Sequence, residues 1–196
     1  MPRLVLLFSG HRVDAPGRTP PRLPPSLVPR AAAAIGAALD ALGAGAGDLA
    51  WSQAASGGDL LFARACIDRG VSLRVLLPVP EAEFIAQSVL GSDGDDDWPA
   101  RYADVVARLD APPRVMADEL GALLAGQNAF ARCNEWLLER ALAHGVATLH
   151  FICLWDGTEG EPGGTAHMVD EVRRRGGRII WIDTRELAAR QRAALP

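Results

Sequence analysis

Short runs of apolar residues recur along the chain and are separated by segments with helical periodicity. Four near-continuous runs have strand length, at residues 4–8, 73–77, 149–155 and 179–182. Weaker strand signals lie at residues 49–53 and 115–116. Runs without polar alternation are typical of strands buried on both faces, as in a parallel sheet.

Helical patterns fill the intervals between the runs. We predict helices at residues 28–42, 59–69, 81–89, 99–109, 129–143 and 165–175. Pro29 near the start of the first and Gly70 after the second favour those boundaries. Because strands and helices alternate, the sequence predicts an α/β fold with a mainly parallel sheet of five or six strands and helices on both faces.

The composition indicates one globular domain and excludes several classes of chemistry. The 196 residues are 49% hydrophobic and 22% charged, without a dividing linker or repeat, so we expect a single domain over residues 1–196. A net charge of −4 makes nucleic acid an improbable partner. All 20 basic residues are arginine, which excludes a Walker-A lysine, a Schiff-base lysine and a Ser–Lys pair. A bound phosphate would contact backbone amides, hydroxyls or arginine.

The cysteines and the first residues predict a cytoplasmic protein. Cys66, Cys133 and Cys153 are widely spaced in apolar runs and form no CxxC pair, which favours structural thiols in a reducing compartment. The five apolar residues 4–8 are too few for a signal peptide or a membrane span. The acidic segment 93–97 lacks the glycine and glutamate of a calcium loop, so we predict a solvated loop there. No metal and no cofactor are predicted.

Small and polar residues occupy three predicted strand-to-helix junctions. These are Ser9-Gly10-His11, then Ser56-Gly57-Gly58-Asp59, and finally Asp156-Gly157 followed by Gly163-Gly164-Thr165. The carboxyl ends of parallel strands meet at one edge of a sheet, where ligands bind. Glycines allow close backbone approach, and helix N-termini offer amides to an anion. The pattern predicts a phosphate or nucleotide site, and the alternative is that the glycines serve the turns alone.

Single residues at these junctions each have a structural and a functional interpretation. Asp59 either caps its helix or also bonds a ribose hydroxyl, and Thr165 either caps or contacts a phosphate. His11 is predicted as a ligand contact or an acid–base group. His167 faces either a ligand or solvent. Trp155 is either core, as we expect of Trp98, Trp136 and Trp181, or stacks on a base.

A proline-rich loop follows the first strand directly. Residues 14–25 contain five prolines and carry no helix or strand pattern. A long loop at this place in an α/β fold is often functional. We therefore expect a lid or a clamp here.

The order of the motifs carries a family resemblance. The motifs are Ser9-Gly10-His11, Ser56-Gly57-Gly58-Asp59-Leu60-Leu61-Phe62-Ala63, Leu76-Leu77-Pro78, Trp155-Asp156-Gly157 and Pro162-Gly163-Gly164-Thr165. Together they resemble the SLOG superfamily, which is related to the Lonely Guy cytokinin-activating phosphoribohydrolases and to DNA-processing protein A. The likeness is greatest to bacterial members of unassigned chemistry and spans residues 3–184. It implies a Rossmann-like three-layer sandwich with a nucleotide-derived ligand over Gly57-Gly58 and Gly163-Gly164-Thr165.

The sequence departs from the phosphoribohydrolase pattern after Gly164. Those enzymes continue through a further Gly-Thr into paired glutamates, whereas here Thr165 is followed by Ala166, His167 and Met168. Asp170 and Glu171 lie about one helical turn away from the place of the catalytic glutamate. The hydrolase activity therefore does not transfer with the resemblance.

Three functions compete at this point. The first is binding or sensing of a nucleotide or nucleotide-derived ligand without robust catalysis, and the oligomeric state, including a homo-oligomer, is left open. The alternative is an N-glycosidic hydrolase or transferase, which needs a carboxylate near the anomeric carbon. The predicted site offers Asp59, Asp156, Glu159 and Glu161, and the catalytic candidates are Asp59, Asp156 and His11. The third is a protein-interaction module, for which the sequence shows no exposed apolar stripe.

Overall fold

The computed structural model describes residues 1–90 and 97–193. Of the acidic segment predicted as a solvated loop, residues 93–96 lie outside the described part. None of the helices in the described ranges is long and apolar enough to cross a lipid bilayer.

Six parallel strands form one sheet. They are β1 Val5–Gly10, β2 Leu49–Ser52, β3 Ser72–Leu77, β4 Arg114–Val115, β5 Leu149–Trp155 and β6 Arg178–Asp183. Their order in the sheet is β4-β3-β2-β1-β5-β6, and every pairing is parallel. The predicted α/β fold with helices on both faces of a parallel sheet is confirmed, and it is consistent with a Rossmann-like sandwich.

The described ranges contain eight α-helices, of which seven lie between strands and the last follows β6. They are α1 Val28–Ala41, α2 Gly58–Asp68, α3 Glu81–Phe84, α4 Trp98–Ala107, α5 Met116–Leu120, α6 Ala129–Leu142, α7 Thr165–Arg174 and α8 Thr184–Ala193. The segment predicted as one helix at 81–89 is α3 followed by a π-helical turn at Ile85–Val89. Short 3-10 turns occupy Pro25–Leu27 and Val146–Thr148. Sequence patterns missed α5 and α8, and α8 buries only Thr184, so it carries almost no apolar stripe.

Hydrophobic cores fill both faces of the sheet. Leu6 and Phe8 point into the core shared with α1 and α2. Val5 and Leu7, which alternate with them, point into the core shared with α6 and α7. Alternate residues of one strand therefore reach opposite cores, which explains why the strand runs are continuously apolar.

The predicted burial of the three cysteines is confirmed, and one tryptophan prediction is wrong. Cys66, Cys133 and Cys153 are free and buried, and burial raises the pKa of all three thiols. Trp98 and Trp136 are buried as expected, but Trp181 is 47% exposed. Trp181 lies on β6, the edge strand of the described sheet, which has a neighbouring strand on one side only.

The connections leave β1 and β5 in opposite directions. The chain passes from β1 through α1 to β2 on one side, and from β5 through α7 to β6 on the other. The loops that follow the two strands therefore separate and leave a crevice beyond their carboxyl ends. This divergence is where open α/β sheets bind ligands.

Candidate functional site

A cavity of about 240 Å³ lies at the divergence of β1 and β5. It is lined by the end of β1 at Ser9, Gly10 and His11, and by the start of α7 at Gly163, Gly164 and Thr165. Asp59 of α2 and Trp155 of β5 line it as well. The structure thus brings together residues from all three junctions that the sequence singled out.

The N-terminus of α7 opens into this cavity. Gly164, the N-cap residue, has an extended backbone (φ −78°, ψ −179°), and no side chain caps the helix. The first N–H groups of an uncapped helix have no carbonyl partner and carry the positive end of the helix dipole. The Ser9 hydroxyl donates to Thr165 Oγ1 at 3.3 Å, which adds two hydroxyls to the amides. Such a cluster of donors is suited to an anion.

A buried asparagine holds the glycine turn before α7. Gln53 Nε2 donates to Asn134 Oδ1 at 2.8 Å, and Asn134 Nδ2 donates to the Gly163 carbonyl at 2.8 Å. Asn134 is 2% exposed and belongs to the buried stripe of α6. Sequence analysis missed both side chains. The available signal was a polar residue inside an otherwise apolar helix stripe.

Gly163 is required by the approach of α6. It has φ +89°, and an added Cβ would lie 2.6 Å from the Ala131 nitrogen and 2.6 Å from Phe130 Cβ. A side chain at this position would push α6 away from the turn. The cavity then depends on glycine here for packing as well as for ligand access.

His11 and Asp156 form a buried pair at the rim of the cavity. The Asp156 N–H donates to His11 Nε2 at 3.1 Å, and Asp156 Oδ1 lies 3.0 Å from the same nitrogen. Burial lowers the pKa of His11, so its neutral ring accepts the Asp156 N–H at neutral pH. Burial alone would raise the pKa of Asp156, but hydrogen bonds from Thr158 and the contact with His11 outweigh it and lower that pKa. His11 lines the cavity, whereas Asp156 lies behind it and orients the imidazole.

Asp59 lines the cavity with a carboxyl group whose pKa is raised. It lies in the first turn of α2, is 7% exposed, and accepts the Ala55 N–H at 3.4 Å. Burial raises the pKa of Asp59 from 3.8 to about 7, although hydrogen bonds from Ala55, Gly10 and Ser52 act in the opposite direction. Asp59 therefore serves the local backbone and also offers the cavity a group that titrates near neutral pH.

Gly57 and Gly58 pack against the chain that leaves β1. Gly57 has φ +86°, and an added Cβ would lie 2.6 Å from the Val13 nitrogen. The Gly58 N–H donates to the His11 carbonyl at 3.0 Å. Ser56 is buried, and its N–H donates to the Ser88 carbonyl at 2.9 Å. None of these three lines the cavity, so their contact with a ligand stays a prediction.

The remaining predicted residues separate into two groups. Trp155 lines the cavity, donates from its indole to the Thr158 carbonyl at 2.9 Å, and lies against Trp181 with ring centroids 5.6 Å apart. Gly157 lies outside, beneath Arg185 and Trp181. His167 also lies outside the cavity, with its Nε2 atom 3.8 Å from Glu171 Oε1 on the same helix. Glu161 lines the cavity and Glu159 does not.

Two arginines and two apolar side chains complete the cavity, and sequence analysis did not find them. Arg12 donates to the Gln87 carbonyl at 2.6 Å and to the Leu90 carbonyl at 3.3 Å. Arg22 comes from the proline-rich loop that follows β1. Phe130 and Leu137 of α6 form an apolar wall. The cavity therefore combines cations, free helix amides and apolar surface.

Comparisons with known proteins give no family assignment. No family model matches the chain, and no curated protein matches it either. The SLOG resemblance stays a prediction based on its motifs.

We expect Gly57→Ala to destabilise the protein far more than Gly17→Ala. Both glycines have positive φ, but a Cβ at Gly17 meets nothing within 4 Å. Gly17→Ala should lower the free energy of unfolding by about 1 kcal/mol through backbone strain. Gly57→Ala should lower it by about 3 kcal/mol, because the methyl group also collides with the backbone at Val13. Urea denaturation measures both, and equal losses would show that the close approach does not constrain Gly57.

The free energy of unfolding should depend on pH because Asp59 ionises. Its pKa is higher in the native state than in the unfolded state, so the native state binds more protons between pH 3.8 and about 7. The free energy of unfolding contributed by Asp59 therefore falls as pH rises through this range, by up to about 4 kcal/mol. Asp59→Asn removes the contribution. Urea denaturation of both proteins from about pH 4 to about pH 8 gives the difference.

The titration of His11 does not alter the difference in stability between wild type and Asp59→Asn. Burial lowers its pKa below 6.5, so its contribution to stability is lost as pH falls, and it does so in both proteins. A difference between wild type and Asp59→Asn that is constant across the pH range would contradict the raised pKa of Asp59.

Proposed function

We propose that the protein binds, and thereby senses, a nucleotide or nucleotide-derived ligand in the cavity between the ends of β1 and β5. The observation that carries the proposal is the uncapped N-terminus of α7, which opens into a cavity that also has arginine and apolar walls. A nucleotide has a phosphate, a hydroxylated sugar and an aromatic base. The cavity offers matching chemistry for each.

The phosphate is assigned to the start of α7. The N–H groups after Gly164, with the hydroxyls of Ser9 and Thr165, supply donors without any lysine. Arg12 and Arg22 line the same cavity and supply positive charge. This agrees with a chain whose cationic side chains are all arginine.

The base is assigned to the apolar wall. Phe130, Leu137 and Trp155 line the cavity and provide surface for stacking and apolar contact. Asp59 and Gln53 line the cavity and supply groups for sugar hydroxyls or for the edge of the base. A protonated Asp59 also lowers the repulsion of a phosphate at neutral pH.

Gly164→Asp should weaken nucleotide binding strongly without unfolding the protein. An aspartate at this N-cap would accept the free amides of α7 itself and place a negative charge where the phosphate is proposed to lie. Calorimetric titration with AMP, GMP, CMP and UMP should show at least one Kd weakened about 50-fold, which is about 2.3 kcal/mol. A Cβ at Gly164 would lie 3.1 Å from the Glu161 carbonyl oxygen, which opposes the gain from the new cap, so the thermal midpoint should stay near that of wild type.

Gly164→Asn is the matched control. It offers a similar cap without the charge, so its affinity should lie between those of wild type and Gly164→Asp. Failure of the wild type to bind any of these nucleotides or their cyclic and dinucleotide relatives would reject the proposal. Equal affinities of the Asp and Asn variants would reject the phosphate position.

The second candidate is N-glycosidic cleavage or transfer, and Asp59 is the observation that favours it. A carboxyl group with a pKa near 7 suits proton transfer to a leaving base at neutral pH. The geometry gives the enzyme less support than binding, because Asp59 is held by local backbone donors and Asp156 is engaged by His11 and Thr158. Glu161 is the remaining cavity carboxylate among those named from the sequence.

We expect little or no free base to be released from nucleoside monophosphates. Amides and arginine hold a phosphate, but they do not replace a positioned carboxylate at the anomeric carbon. Chromatography after incubation with AMP, GMP, CMP, UMP and their cyclic and dinucleotide relatives measures this. If the wild type releases free base and Asp59→Asn does not, N-glycosidic catalysis would replace ligand binding as the better-supported function.

A further inference from the structure

A second cavity of about 290 Å³ lies between the proline-rich loop and α8. Pro21, Pro24 and Leu27 form its wall on the loop side, and Ala188 of α8 faces them. Polar residues line the remainder, namely Arg22, Ser26, Thr184, Arg185, Gln191 and Arg192. Its lining overlaps with that of the first cavity only at Arg22.

Buried polar atoms without partners are concentrated around this second cavity. Among the described residues, Arg22 Nε, Thr184 Oγ1 and Gln191 Oε1 are buried without a hydrogen-bond partner, and all three residues line it. Thr184 is 2% exposed and is the first residue of α8. A buried hydroxyl or amide without a partner is costly in a folded protein. An acceptor atom on a ligand would pair with Arg22 Nε and Thr184 Oγ1, whereas Gln191 Oε1 needs a donor.

The charge around the cavity is positive and incompletely neutralised. No aspartate or glutamate lines it. Arg185 is neutralised by a two-point contact with Asp183, at 3.2 and 2.9 Å. Asp14 and Asp156 act on Arg22 electrostatically, but within residues 1–90 and 97–193 neither Arg22 nor Arg192 has a carboxylate within ion-pair distance. The cavity therefore favours an anion.

We propose that this cavity is a second binding site, for a small organic anion with an apolar body. Its oxyanion, a carboxylate or a phosphate monoester, accepts from Thr184 Oγ1 and the guanidinium groups of Arg22 and Arg192. Its apolar body packs against Pro21, Pro24 and Ala188. Apart from Arg22, which lines both cavities, the site has its own lining residues.

The apolar wall determines the class of ligand. Inorganic phosphate would satisfy the donors but would leave the proline and alanine surface in water. A neutral aromatic alcohol would cover that surface but would leave both arginines without an anion at ion-pair distance. An amphipathic anion pairs with the donors and also covers the apolar surface. Its affinity should therefore exceed that of inorganic phosphate and that of a neutral aromatic alcohol.

Site-resolved NMR titration tests the proposal. Phenyl phosphate, benzoate, inorganic phosphate and benzyl alcohol are titrated separately into the full-length protein, and the amide shifts of Thr184 and Ala188 are followed. Phenyl phosphate or benzoate should saturate these shifts with a Kd of about 1 mM. Phosphate and benzyl alcohol should bind at least about fivefold more weakly. The two preferred probes distinguish a phosphate ester from a carboxylate as the natural oxyanion.

Variants on α8 provide matched controls. Arg192→Gln should weaken the preferred probe at least about fivefold. Arg190→Gln, on the same helix and outside the cavity, should leave it unchanged, since Arg190 pairs with Glu186 at 3.3 Å. Thr184→Val should weaken binding and raise the thermal midpoint, because it removes the unpaired hydroxyl at nearly constant shape. Ala188→Leu should block the cavity.

Three results would overturn the proposal. The first is the absence of saturable shifts at Thr184 and Ala188 with every probe, or shifts confined to Thr165 and Ala166. The second is equal affinity for inorganic phosphate and phenyl phosphate. The third is binding that Arg192→Gln and Arg190→Gln affect equally.

Discussion

The pairing of β1 with β5 positions the candidate site. The two strands stay in register from Val5 opposite Leu149 to Gly10 opposite Leu154, so they end at the same level. The chain then leaves β1 toward one side of the sheet and β5 toward the other. The first cavity exists because these two exits separate. Ser9 and Thr165, which both line it, are joined by a hydrogen bond of 3.3 Å although they are 156 positions apart in the sequence.

Similar glycine pairs have different functions at the two helix N-termini. At α2, Gly57 and Gly58 admit the backbone that follows β1, and the His11 carbonyl takes the Gly58 amide. At α7, Gly163 admits α6, but Gly164 lines the cavity and no side chain caps the helix. One N-terminus is closed by the chain itself, and the other is open to a ligand. Our proposal therefore places the phosphate at α7.

Local patterns predicted much of the fold, because strands buried on both faces and amphipathic helices have distinct periodicities. They missed α8, which buries little besides Thr184, and they predicted as core the exposed Trp181 on an edge strand. The three junctions were identified because parallel strands place their ends together. The buried partner of Gly163 was not identified, since Asn134 is 29 residues away and only tertiary packing brings it there. The same holds for Arg22, which reaches both cavities from a loop without a periodic pattern.

A crystal structure with a bound nucleotide tests the central claim most directly. We predict that the phosphate of the tightest-binding nucleotide accepts hydrogen bonds from the Thr165 and Ala166 amides at about 3 Å, with the base against Phe130 and Trp155. A phosphate bound at Gly57 and Gly58, or a nucleotide found only in the cavity beside α8, would contradict the account.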